Sequence, residues 1–266
     1  MMRFCSIASG SSGNCIYVGS DNTHLLIDAG ISGKRIESGL NEIGLTTRDI
    51  NGILITHEHS DHIGGIGVLS RKYGIPLYAT KGTFQGVMAS KTVGCVDTGL
   101  FNIINGDESF CINDLCVNSI KVSHDANEPV AYKICRGDKS VGVCTDLGKY
   151  DDNIIKNFQK VEALLIEANH DVNMLQVGPY PYQLKQRILS DRGHLSNETC
   201  GRLLCKLLHD NLKSIFLGHL SAENNMAELA YEAVRLEIMM DSCKYNPTDF
   251  EIKVAKRDVR SDLIAV

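Results

Sequence analysis

"ILITHEHSDHIGG" (residues 53–65) sets His57, Glu58, His59, Asp61 and His62 directly behind an apolar, β-branched run. Ionisable side chains crowded at the end of a buried strand are unfavourable unless something binds them. Residues 52–56 read as a strand fit for burial on both faces. In the extended loop that follows, side chains alternate, so His57 and His59 point to one side. Asp61 and His62 then open a helix over residues 61–74 and swing toward a neighbouring point. The spacing offers two adjacent ligand sets, and imidazole with carboxylate suits zinc, manganese or iron. Glu58 is expected to face away.

Two ions need further ligands, and the chain has polar residues at the ends of later apolar runs. His124 ends "SIKVSHD", Asp146 ends "SVGVCTD" and His219 ends "SIFLGH". A sheet would place all three along one rim. A carboxylate has two oxygens, so Asp146 is able to bridge two ions. Such a pair, about 3.5–4 Å apart, clamps the attacking and leaving oxygens of a displacement.

The 266 residues are enough for one large domain, taken as residues 1–266. The formal net charge of −5 does not give the basic footprint of a typical nucleic-acid binder, although a local patch stays open. No apolar run is long enough for a membrane span, and the first residues lack a secretory signal, so a cytoplasmic protein is expected. None of the ten cysteines forms a C-x-x-C pair, and most are expected to be buried small hydrophobes.

Strands are predicted at 3–9, 14–19, 24–28, 52–56, 75–80, 163–168, 214–218 and 250–255, with hairpins between 101 and 145. Helices are predicted at 32–43, 61–74, 81–90, 151–158, 181–189, 196–209 and 223–239. Gly74 is expected to cap the end of one helix, and Ser196 and Ser221 to cap the starts of two others. The simplest architecture is an α/β sheet core covered by helices on its outer faces.

T-H-x-H-x-D-H behind a hydrophobic strand, followed by His124, Asp146 in "CTDLG" and His219 in "LGHLS", resembles the metallo-β-lactamase fold. That resemblance spans essentially the whole chain. It implies an αββα sandwich of two mixed sheets flanked by helices, with Asp146 bridging two metals.

Three further segments bear on the chemistry. "ASGSSGNC" (8–15), with Ser9, Ser11, Ser12 and Asn14, offers hydroxyls and amides to an anion, or is a plain turn. Glu167 in "LLIEANHD" and His194 in "DRGHLSNE" read as a carboxylate holding an imidazolium poised to protonate a leaving oxyanion, or as unrelated groups. "GPYPYQLKQRILSDRGH" (178–194) carries Tyr180, Tyr182, Lys185, Arg187 and Arg192, suited to phosphates and stacked bases or to a solvated helix face. His170 is a further candidate for contacting substrate.

Taken together, "SGSSGN", "THEHSDHIGG", "EANHD" and "DRGHLSNE" resemble the YycJ/WalJ group of metallo-β-lactamase-fold proteins, relatives of the branch containing RNase Z and RNase J. The resemblance implies a dinuclear metal-dependent 5′→3′ DNA exonuclease linked to DNA repair, acting on DNA more than RNA. One divalent ion (Zn, Mn or Fe) would sit on His57, His59 and His124. The other would sit on Asp61, His62 and His219, with Asp146 between them. Asp61, His194 and Glu167 are the catalytic candidates. The span from Asp146 to His219 is too short for a β-CASP insertion, and no long RNA-grasping arm is seen. Two alternatives stay open: the same metal pair hydrolysing a small ester, thioester or cyclic phosphodiester, and a non-catalytic docking module stabilised by metal.

Overall fold

The structure, a computed structural model, describes residues 1–242 and 244–266. Cys243 therefore lies outside the described residues. Two seven-stranded sheets face each other. The first takes β1 (Arg3–Ala8), β2 (Cys15–Gly19), β3 (His24–Ile27), β4 (Gly52–Leu54), β5 (Leu77–Thr80) and β6 (Phe101–Ile104) in chain order. The second takes β7 (Ser109–Ile112), β8 (Leu115–Lys121), β9 (Val130–Arg136), β10 (Lys139–Cys144), β11 (Ala163–Glu167), β12 (Ser214–Gly218) and β13 (Glu251–Val254). A two-residue strand, β14 (Ile264–Ala265), returns to pair antiparallel with β1. Both sheets are mixed: hairpin strands pair antiparallel, and strands joined through helices pair parallel, from β3 to β6 and from β10 to β13.

Residues of alternating side carry the layering. Phe4, Ile16, Leu25 and Leu54 from one sheet meet Val117, Tyr132, Val143 and Phe216 from the other in the central core. The opposite face of the first sheet packs on α1 (Gly33–Asn41) and α3 (Ile66–Tyr73). The opposite face of the second packs on α5 (Asp152–Phe158), α8 (Asn197–Leu207) and α9 (Ala227–Met240). The remaining helices are α2 (Ser60–Ile63), α4 (Lys81–Ala89), α6 (Val172–Val177) and α7 (Tyr182–Ile188). The expected αββα sandwich of two mixed sheets is the fold observed.

Several boundaries differ from the sequence reading. The single helix expected over 61–74 is two, α2 and α3, because Gly64 and Gly65 press against the backbone of residues 29–31. The Gly65 amide donates to Ala29 O, and a Cβ there would lie 2.3 Å from Ile31 O. Gly74 does cap α3, in the left-handed region at φ 65°. Ser196 caps α8, accepting the Thr199 amide at 3.2 Å. Ser221 is not a helix cap: its hydroxyl accepts the Asn224 amide in a turn, and α9 starts only at Ala227 behind Met226. Helix α6, capped by Asp171, escaped the periodicity because one and a half turns carry too little pattern. The cysteines are also less buried than expected. Cys5, Cys15, Cys144 and Cys200 are buried, but Cys95 and Cys111 are exposed and Cys116, Cys135 and Cys205 half-buried.

Candidate metal centre

Asp28, Asp146 and His219 each stand just beyond a strand, after β3, β10 and β12. Each has a left-handed backbone, at φ 60°, 57° and 55°. That conformation is uncommon for residues other than glycine, though Asn, Asp and His enter it most readily. It costs on the order of 1–3 kcal/mol per residue and persists where the surroundings dictate it. Here it turns three polar side chains to one rim, where the loop after β4 delivers His57, His59, Asp61 and His62.

The imidazoles of His57, His62, His124 and His219 are held in one pattern: one ring nitrogen fixed from outside, the other aimed inward. Asp28 is fully buried. Its carboxylate accepts the Thr56 amide (2.8 Å), the Thr56 hydroxyl (2.9 Å) and Nδ1–H of His62 (2.7 Å). The Thr56 hydroxyl, its proton already given to Asp28, accepts from Nδ1–H of His57 at 3.0 Å. That leaves the His57 lone pair on Nε2, buried and without a partner. Nδ1–H of His124 donates to Gly193 O at 3.0 Å, so its Nε2 is also a lone pair, facing Nδ1 of His59 at 3.3 Å. Nδ1 of His219 is held by Oε1 of Glu167 at 3.0 Å, and its Nε2 lies 3.2 Å from Oδ2 of Asp61. Such outer partners fix tautomer and ring orientation in metal-binding histidines.

Ligand atoms converge in overlapping groups, with all atoms of a group within 4.8 Å of one another. One is His57, His59 and His124; another is Asp61, His62 and His219; a third is His57, His62 and Asp146. Asp146 stands between the first two. Its Oδ2 is 3.1 Å from Nε2 of His62, while Oδ1 is 3.6 Å from Nε2 of His219 and 3.7 Å from Nε2 of His124. Among the described residues, Nε2 of His57 and Oδ2 of Asp146 have no aligned hydrogen-bond partner. Buried acceptors left unpaired beside inward-facing lone pairs are what a divalent cation would satisfy. A fourth group, Asp146, Glu167, His194 and His219, runs along the same rim.

The electrostatics agree. Burial holds the His57 pKa well below its ordinary value. Burial opposes charging His62 and His219 too, but the carboxylates outweigh it. Asp146, Asp28 and Asp61 raise His62 well above its ordinary value, and Asp146, Asp61 and Glu167 push His219 up to about 10. A cation at such a cluster competes with protons for the same ring nitrogens.

His194 lies beside the cluster. Its Nδ1 is 2.8 Å from Oε1 of Glu167 and 3.5 Å from Oδ1 of Asp146. The other Glu167 oxygen accepts the amides of Leu147 (2.8 Å) and Leu195 (3.2 Å). Burial alone would lower the His194 pKa, but Glu167 raises it. A cavity of about 370 Å³ opens over this rim, lined among others by Ser11, Asp61, Asp146, Tyr180, Arg187 and His194.

The other sequence-predicted positions spread more widely. Ser9 and Asn14 are buried, and Asn14 Nδ2 lies 3.1 Å from Nε2 of His62. Ser9 Oγ accepts the His219 amide at 2.9 Å, and Asn14 Oδ1 accepts the Gly10 amide at 3.0 Å. Ser11 lines the cavity, whereas Ser12 is exposed. Arg187 lines the cavity, paired with Asp125. Lys185 donates to Gln176 O at 2.7 Å and Arg192 to His124 O at 3.2 Å. Tyr182 is 75% exposed. His170 is buried and lines a neighbouring cavity of about 360 Å³ that shares His194. Glu58 turns away, accepting the Asn127 amide at 2.8 Å. Sequence reasoning missed Asp28 and Thr56. Asp28 carried the same signal as Asp146, a carboxylate closing the apolar run "HLLID"; Thr56 carried none.

A family model described as the metallo-beta-lactamase superfamily matches residues 8–219. The exodeoxyribonuclease WalJ of Streptococcus pneumoniae serotype 2 (strain D39 / NCTC 7466) is 47% identical over 229 residues, covering 86% of this chain and 85% of that protein. The exodeoxyribonuclease YycJ of Bacillus anthracis is 42% identical over 233 residues, covering 88% of each. Among solved structures, the metallo-beta-lactamase fold protein YhfI of Bacillus subtilis superposes with a TM-score of 0.70 at 17% identity, covering 98% of both chains. With the rim of histidines and carboxylates on an αββα sandwich, these likenesses make the chain a member of the metallo-beta-lactamase superfamily.

Proposed function

We propose that the protein is a dinuclear metal-dependent phosphodiesterase, a 5′→3′ exonuclease acting on DNA. The observation that carries this reading is the position of Asp146 between two imidazole-rich groups, each able to hold one ion. His57, His59 and His124 would hold one divalent ion (Zn, Mn or Fe); Asp61, His62 and His219 would hold the other; Asp146 would bridge them. When bound, such ions supply Lewis acidity, acidifying water and offsetting charge on phosphate oxygens.

The chain's own residues do the rest. His194, held by Glu167, is a proton donor at the edge of the cavity, poised for the leaving 3′ oxygen. Asp61 contributes a carboxylate on the same wall. Arg187 offers charge to a phosphate, and Tyr180 a ring face for a base. Ser11 adds a hydroxyl to the cavity lining, which Ser12, Lys185 and Arg192 do not join. DNA as substrate is supported by the likeness to the exodeoxyribonucleases WalJ and YycJ, each covered over at least 85% of its length. A cytoplasmic role in DNA repair goes with that substrate.

The test is a panel of end-labelled DNA and RNA, with and without a 5′ phosphate, digested in zinc and then in manganese. Release of mononucleotides from the 5′ end of DNA, lost in folded Asp61→Ala and His194→Ala variants, is expected. Internal cleavage, a preference for RNA, or undiminished activity in folded Asp61→Ala would overturn the reading.

A further inference from the structure

Strands β7, β8 and β9 carry a row of thiols across the second sheet, away from the metal-binding rim. Cys111 stands opposite Cys116 in the β7–β8 ladder, and Cys116 opposite Cys135 in the β8–β9 ladder. Leu115, Val117 and Ser119 of β8 are buried between the sheets, so Cys116 and Asn118 face the other way. Cys111 is exposed, Cys116 and Cys135 are half-buried, and all three are free. Asn118 ties the row together: its amide nitrogen lies 3.8 Å from Sγ of Cys135, and its oxygen 4.0 Å from Sγ of Cys116.

The ladder hydrogen bonds decide which thiols are nearest. The Ser119 amide donates to Glu108 O at 3.0 Å, and the Val122 amide to Pro129 O at 3.3 Å. Antiparallel pairs alternate between hydrogen-bonded and non-bonded, with Cα separations of about 5.5 and about 4.5 Å. Three pairs from Glu108–Ser119, the pair Cys111–Cys116 is therefore non-bonded, the closer kind. Six pairs from Val122–Pro129, Cys116–Cys135 is hydrogen-bonded. Both separations lie inside the roughly 4.4–6.8 Å that a disulfide spans.

A single cation held by all three is disfavoured by the same geometry. Strands lie about 4.8 Å apart, so Cys111 and Cys135 are separated by about twice that. A sulfur reaches only one bond beyond its Cβ, whereas zinc–thiolate bonds of about 2.3 Å need the sulfurs within about 4.6 Å of each other. The row suits pairs, with Cys116 shared.

We propose that Cys111 and Cys116 form a cross-strand disulfide on oxidation by a hydroperoxide, and that Cys135 exchanges into it. Cys111, the exposed thiol, attacks the peroxide: its sulfur gains an oxygen as sulfenic acid, the O–O bond breaks, and an alcohol or water departs. The Cys116 sulfur then displaces that oxygen as water, forming the S–S bond. The Cys135 thiolate can next attack Cys116 sulfur, making a Cys116–Cys135 bond and returning Cys111 as a thiol; no net oxidation accompanies this second step. Burial and the adjacent thiols raise the Cys116 pKa, which makes it the partner rather than the first to react.

The test uses the reduced, intact protein treated with hydrogen peroxide, alkylated with iodoacetamide, and cleaved before aspartates. Cleavage before Asp114 separates Cys111 (residues 107–113) from Cys116 (residues 114–124), with Cys135 in residues 125–137. Peptides 107–113 and 114–124 are expected to be joined in the oxidised protein, with alkylation of Cys111 lost. Cys116→Ser should leave Cys111 as a sulfenic acid, trapped by dimedone and still lost to alkylation, and Cys111→Ser should leave 114–124 and 125–137 unlinked. Sulfinic acid at Cys111 beside an alkylated Cys116, or a link from Cys111 to some other cysteine, overturns the proposal. The readout does not depend on the hydrolytic reading, and Cys111→Ser leaves DNA hydrolysis unchanged.

Discussion

Oε1 of Glu167 lies 2.8 Å from Nδ1 of His194 and 3.0 Å from Nδ1 of His219. One buried carboxylate oxygen thus holds the proposed proton donor and a proposed metal ligand together. Its position is not adjustable, because the second oxygen is taken by the Leu147 and Leu195 amides.

Glu167→Gln therefore has a double signature. Burial opposes a charge on His194 and Glu167 raises its pKa, so removing the carboxylate lowers it. A donor must be protonated, and activity falls as pH rises through its pKa. The alkaline limb of the rate profile is expected to move to lower pH in the variant, with metal affinity reduced about 10–100-fold through His219. An alkaline limb unmoved under saturating metal would remove His194 from the donor role.

Asp28→Asn isolates the outer support of His62. Asparagine tolerates the left-handed backbone that Asp28 adopts at φ 60°, so the change removes charge rather than strain. An amide also presents a donor where Thr56 already donates twice. Metal content measured by mass spectrometry, or affinity by titration calorimetry, should fall about 10–100-fold. Full metal occupancy at limiting metal would show that His62 needs no such anchor.

Removing metal should soften the whole fold. An ion that binds only the native state at a hundredfold excess over its Kd stabilises it by about 2.7 kcal/mol. For a chain of this size that is several degrees in Tm, at roughly 2–4 °C per kcal/mol. Differential scanning calorimetry with and without chelator checks it, and identical transitions would argue against a tightly held ion.

Gly30→Ala tests how the ligand loop is seated. A Cβ on Gly30 would lie 1.6 Å from the backbone oxygen of Asp61, and no side-chain rotation relieves an overlap with backbone. A stability loss well above the roughly 1 kcal/mol of an average substitution, with reduced metal binding, is expected in denaturant titration. A neutral effect would mean the loop sits more loosely than the structure has it.

Arg187→Ala probes the phosphate contact. If Arg187 neutralises one phosphate, the slope of log affinity for single-stranded DNA against log salt should drop by about 0.7. Fluorescence anisotropy across a salt series measures it, and an unchanged slope would leave Arg187 as the partner of Asp125 alone.

The residues at the ends of apolar strands were legible in the amino-acid order. Short continuous apolar runs mark strands buried on both faces, and a polar residue closing such a run lies at the rim. His57 to His62, His124, Asp146, Glu167 and His219 were all visible that way, as was the layered α/β architecture. The tertiary structure decided who supports whom. Thr56 as the relay between Asp28 and His57, and Gly193 O as the anchor of His124, join groups with no spacing in common. It also buried Ser9 and Asn14 inside the loop that Ser11 presents to the cavity, and broke the helix after His62 where two glycines meet the 29–31 backbone. Those outcomes depend on which backbones approach across the sandwich, a distance that local pattern does not encode.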